Sequence, residues 1–139
     1  MAKNVLQFEE TYDDILIIGV SSSLKDYKLC FELNKHFYLN LIRVNNFVLD
    51  GVEFDRNDSY PIFIDTNNQP EKIHLISNKG DRKFLFDELR KLDYFLIVSY
   101  PEKDKSHWIN GMRTVKGITA VFHIQPESLK NKFVLQYFD

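Results

Sequence analysis

Cysteine is almost missing from this chain: Cys30 is the only one in 139 residues. An intramolecular disulfide and a zinc site built from several cysteines are therefore both excluded. No apolar run approaches the ~18 residues that a membrane-spanning helix needs. The opening residues, MAKNVLQFEETYDD, hold no apolar core of signal-peptide length. Charge of one sign is not in excess either, since 18 Lys and Arg against 20 Asp and Glu leave a net charge of −2. That balance attracts neither a phosphate backbone nor an anionic membrane. No Gly-x4-Gly-Lys-Ser/Thr phosphate loop is present. His36, His74, His107 and His123 are scattered without metal-ligand spacing. These absences predict a cytoplasmic protein that uses no metal or cofactor and binds neither nucleic acid nor membrane.

What is present is enough to build a core. Hydrophobic residues make up 44% and aromatics 14%, which argues against disorder. The length fits one domain, and no linker, repeat or low-complexity segment divides it, so residues 1–139 are expected to form a single unit. Tyr94-Phe95-Leu96-Ile97-Val98 is the longest unbroken apolar run. Rich in aromatic and β-branched residues, it predicts a strand buried on both faces. Ile15–Val20 is a second such run and a predicted neighbour. Before the central strand, Asp87–Leu92 predicts one or two helical turns. Its acidic residues come first and its basic ones last, as the helix dipole favours.

Ser21-Ser22-Ser23 breaks the first strand and opens a helix predicted to run to Tyr38, with Ser23 and Asp26 as a capping pair. Leu24, Tyr27, Cys30, Phe31, Leu33, Phe37 and Tyr38 fall in one apolar arc. Lys25, Lys28, Glu32, Lys35 and His36 fall opposite, with Lys28 and Glu32 placed as an i,i+4 pair. Asp50-Gly51 between Phe47–Leu49 and Val52–Phe54 predicts a hairpin. Residues 60–64 and 72–76 predict a second strand pair, and Pro61 places its strand at an edge or at a strand start. A helix follows over about 104–116, with Trp108, Ile109, Met112 and Val115 on one face and Gly117 ending it. A last strand covers 118–124. The order β-α-β-β-β-β-short α-β-α-β predicts an α+β two-layer sandwich with a mostly antiparallel sheet.

Two blocks carry a family resemblance. In FDELRKLDY, residues 86–94, Glu88, Asp93 and Tyr94 match the Ile-Pro-Glu-x3-Val-Asp-Tyr motif, with Leu92 for Val, Phe86 for Ile and Asp87 for Pro. In GVSSSLKDYKLC, residues 19–30, Gly19, Ser21, Ser22, Leu24, Lys25, Asp26, Tyr27, Leu29 and Cys30 match a second segment. The chain thus resembles the bacterial IPExxxVDY family, whose members are uncharacterised, so the resemblance implies no particular activity.

Two function classes follow. The first is a non-enzymatic interaction module, able to form a homodimer or hold a protein partner. It would use a sheet edge or the apolar tail, with Phe133, Leu135, Tyr137 and Phe138 as contacts, unless that tail folds back onto its own domain. The second is a small-molecule or anion-binding domain, with Ser22, Ser23, Lys25 and Asp26 gathered at a helix N-terminus. Glu88 and Asp93 read as structural carboxylates rather than an acid–base pair. Cys30 sits on the apolar arc as a small hydrophobe rather than a nucleophile.

Overall fold

The computed structural model describes residues 14–49, 58–67 and 70–138, without the side chains of residues 132 and 133. The strands are β1 (Ile15–Ser22), β2 (Leu41–Arg43), β3 (Phe47–Leu49), β4 (Asp58–Tyr60), β5 (Ile62–Asp65), β6 (Lys72–Ser77), β7 (Tyr94–Ser99) and β8 (Ile118–Ile124). The helices are α1 (Asp26–Phe37) and α2 (Lys105–Thr114), with 3-10 turns at Asp87–Leu89, Pro126–Ser128 and Lys132–Phe138. Six strands form one antiparallel sheet in the order β2-β5-β6-β7-β1-β8, and β3 pairs with β4 apart from it. This is the α+β, mostly antiparallel class that the patterning predicts.

β7 lies between β6 and β1, and all six of its residues are buried. Side chains alternate across the pleat. Leu16, Ile18, Val20, Leu96 and Val98 face the two helices, whereas Ile15, Ile17, Phe95 and Ile97 face the other way. β5 is an interior strand, and Pro61 sits between β4 and β5 just before it begins. The described partner of Phe47–Leu49 is β4, with Leu49 opposite Asp58, and the strand predicted over 60–64 is divided at Pro61 between β4 and β5. The Asp50-Gly51 turn and Val52–Phe54 of the predicted hairpin lie outside the described residues.

α1 ends one residue before Tyr38, which takes the left-handed conformation at φ 58°. Its buried stripe is Leu29, Cys30 and Leu33, narrower than the predicted arc and turned toward Leu29. Tyr27, Phe31 and Tyr38 are exposed, because α2 shares the same sheet face and leaves α1 only a strip to cover. Glu32 pairs with Lys35 at 3.7 Å rather than with Lys28. The face of α2 is as expected, with Trp108, Met112 and Val115 buried and Ile109 packed against them.

No described helix lies over the second sheet face. The β3–β4 pair, residues 85–92 and the C-terminal turn cover it instead. Val134, Leu135 and Phe138 are buried there with Ile17, Ile76 and Ile97, and the Ser99 hydroxyl donates to the Phe138 carbonyl. The expectation that Leu135 and Phe138 contact a partner is therefore corrected. A sheet face this apolar must be covered, and fully burying a Leu or Phe side chain stabilises by about 1.5–3 kcal/mol. Of the four tail contacts, Tyr137 is exposed, and the Phe133 side chain lies outside the described ones.

Candidate functional site

The strand-to-helix turn at residues 22–26 and the motif at 86–94 are far apart in sequence and meet in space. The Ser22 N–H donates to Asp93 Oδ2 at 2.8 Å. The Asp93 N–H donates to the Val20 carbonyl at 2.8 Å. The Ser21 hydroxyl donates to the Lys91 carbonyl at 3.1 Å, and the Tyr94 hydroxyl to the Leu24 carbonyl at 2.7 Å. Gly19 permits this approach, because a Cβ there would come within 2.5 Å of Leu92 Cδ1. Burial, with Asp26 and Asp93 nearby, pushes the Tyr94 phenol up to about 12, so it remains a donor at neutral pH.

The Ser22 hydroxyl is fully engaged. It donates to the Gly117 carbonyl at 2.7 Å and accepts the Leu24 N–H at 3.1 Å. Gly117 has φ 94°, and a Cβ there would collide with Leu24. Ser23 and Lys25 are exposed. The N-cap of α1 is Lys25, with no side-chain capping bond, so the Ser23–Asp26 capping pair does not form. The Asp26 carboxylate accepts the Tyr27 N–H at 2.7 Å and lies 3.5 Å from Arg43. The turn is thus a junction of three chain segments in which Ser22 is a structural hydroxyl.

Glu88 does not share a site with Asp93. Its carboxylate accepts the Lys130 N–H at 2.8 Å and tethers the C-terminal segment. Each motif residue fixes a distant stretch of backbone: Asp93 and Tyr94 hold residues 22–24, and Glu88 holds residue 130. A shallow groove of about 410 Å³ runs beside this junction, lined in part by Ser22, Ser77, Lys79, Asp81, Asp93 and Tyr94.

Two residues with a larger share in this architecture carry no signal in the sequence. Asn78 is completely buried. Its amide donates to the Leu89 and Leu92 carbonyls at 2.9 and 2.8 Å and accepts the Phe86 N–H at 3.0 Å. It shapes the loop that delivers the motif. Asp58 accepts backbone N–H groups from Ser59, Asp81, Arg82 and Lys83 at 2.8–3.3 Å. Burial raises its carboxyl pKa, but these four donors outweigh that and hold it below the ordinary value. Asn and Asp commonly mark turns, and only the fold shows which ones gather remote amides.

Cys30 is buried, its thiol pushed up to about 11 by burial, and it donates to the Leu41 carbonyl at 3.4 Å. It behaves as the small hydrophobe expected. His74 is mostly buried against the Phe138 ring, with centroids 5.1 Å apart. Among the described residues, no group of three or more His, Cys, Asp or Glu is placed to hold a metal ion. No described helix is long and apolar enough to cross a membrane.

The two sheet edges differ. β2 is three residues long and carries Arg43, the usual protection of an edge. β8 is seven residues long, Ile-Thr-Ala-Val-Phe-His-Ile, with no charge and no proline. Its inner side pairs with β1, and no described strand pairs with its outer side. Phe122 is 50% exposed on it. Beside it, Leu89, Leu92, Phe122 and Ile124 form part of a groove of about 400 Å³.

No family model matches this chain, and no curated protein or solved structure shows significant similarity to it.

Proposed function

We propose that this protein is a non-enzymatic interaction module of the cytoplasm that works as a homodimer through β8. The observation that carries the reading is the seven-residue, uncharged outer edge of β8 next to an apolar groove. An extended strand with unpaired outward amides and carbonyls is a template for another strand. The occupant is a second copy, because β8 is complementary to itself. A register irregularity at Ser21/Ser22 of β1 leaves Ala120–Ile124 as the regular part of β8. Antiparallel pairing of that stretch about a two-fold axis sets Phe122 opposite Phe122 of the second copy. Ala120 then faces Ile124, and Val121 faces His123. No like charges meet, and an exposed aromatic pair lies at the axis, where cross-strand aromatic contacts are favourable.

Light scattering of the full chain tests this. The expected mass is that of a dimer at micromolar concentration. Phe122→Lys, at an exposed position, is expected to give a folded monomer. A wild-type monomer, or a Phe122→Lys protein that remains a dimer, overturns the reading.

Membership of the IPExxxVDY family belongs to the same proposal. It is supported by the matches at Glu88, Asp93 and Tyr94 and by the contacts that join the two matching blocks. The family attaches no activity to the chain.

A further inference from the structure

α1 carries two aromatic side chains that its packing does not use. Tyr27 and Phe31 lie one turn apart and are 58% and 62% exposed, while the helix packs on the sheet through Leu29, Cys30 and Leu33. With Leu24 they line a groove of about 520 Å³, completed by Lys28, Glu32 and Lys116. Lys116 comes from the turn between α2 and β8, so two separate segments build the groove. This surface shares no residue with the edge and groove at β8.

The charge around the groove is predominantly positive. Glu32 is paired with Lys35, whose ammonium also sits 5.5 Å over the Phe31 ring. Lys28 and Lys116 have no ion pair among the described residues. The groove therefore offers an apolar floor with two unpaired cations on its rim, in a chain whose net charge is −2. Aromatic side chains in a pocket bounded by polar groups are the usual anchors of protein recognition.

The geometry points to an acidic segment of another protein as the occupant of this groove. Its apolar anchor seats between Tyr27 and Phe31, and its carboxylates meet Lys28 and Lys116. Charge complementarity decides the class of partner. A nucleic-acid strand needs a continuous cationic track along its backbone, and the Glu32 carboxylate interrupts this one. A bilayer surface calls for a cluster of several lysines and arginines, more than the two unpaired here.

The test uses the full chain and two labelled peptides of identical length. One is built from glutamate, leucine and tryptophan, and the other has glutamine in place of every glutamate. Fluorescence anisotropy is expected to show binding of the acidic peptide that weakens with salt. Phe31→Ala is expected to weaken it about tenfold. Lys28→Glu combined with Lys116→Glu is expected to weaken it at least tenfold, by about the amount that reversed rim charges cost, and to leave the glutamine peptide unaffected. Both lysines lie at the groove rim, so this charge-reversed variant decides the question alone if Phe31→Ala does not fold. Equal binding of the two peptides overturns the proposal, as does charge reversal without effect. Tighter binding of oligothymidylate or of phosphatidylserine vesicles through the same lysines also overturns it, in favour of another class of ligand.

Discussion

Asp93 holds Ser22 across 71 positions of sequence: its carboxylate accepts the Ser22 N–H at 2.8 Å, at the point where β1 gives way to α1. The neighbouring Tyr94 hydroxyl donates to the Leu24 carbonyl two residues further on. The last two residues of the 86–94 motif therefore set the direction in which the chain leaves the sheet.

If these bonds position the turn, Asp93→Ala and Tyr94→Phe should each cost about 1–2 kcal/mol, the price of leaving one partly buried backbone group without its partner. The double variant should cost less than the sum, because both residues hold the same turn. Urea denaturation of the four proteins measures the coupling. Strict additivity would show that the two residues act on separate structures.

Asn78 should be less replaceable than either. Asn78→Asp keeps the shape but loses both donated bonds, to the Leu89 and Leu92 carbonyls. It also sets a carboxylate against those two oxygens. The expected loss is about 3 kcal/mol or more, since each buried group left unpaired costs about 1–3. A melting temperature within a degree or so of wild type would mean that water replaces the amide, contrary to its complete burial.

Acid should destabilise the protein in two stages. Burial and the nearby Lys72 push His74 down to about 4 from an ordinary value of 6.5. Below 6.5 the unfolded chain gains a proton that the folded chain accepts only near 4, so stability falls across that window, by up to about 3 kcal/mol. Asp58 acts lower down. Its carboxyl is held below the ordinary value of 3.8, so its contribution is present above that value and lost as pH drops further. His123 is also lowered, by burial and by Lys105. His74→Phe should therefore remove most of the first stage, leave the share of His123 and leave the second stage, as read from denaturation midpoints over a pH series. A His74→Phe protein with the wild-type profile between pH 6.5 and 4 would assign the first stage to another group.

Removing residues 132–139 should unfold the protein. Val134, Leu135 and Phe138 are buried under the sheet, and losing large core side chains costs about 2–5 kcal/mol each, as much as a whole domain commonly has. Circular dichroism and light scattering of the truncated chain check this. A folded, smaller assembly would return the tail to the role of an interface.

The two helices and the longer strands were legible in sequence because they depend on local periodicity, whereas the three-residue β2 and β4 are too short to show one. The apolar run at 94–98 has to be an interior strand, and the Trp108–Val115 face has to pack on something apolar. The lack of charge and proline in β8 is also plain in the sequence. That β8 lies at the edge of the sheet is not, because strand order depends on pairings between residues a hundred positions apart. The same holds for the tail, whose burial is decided by a sheet face that no described helix covers. The destination of Tyr27 and Phe31 was misread for a related reason: periodicity gives the apolar side of a helix, but the neighbouring α2 decides how much of that side is covered. Asn78 and Asp58 are common turn residues by sequence. They become centres of hydrogen bonding only once the backbone N–H and C=O groups of residues 81–92 have been brought around them.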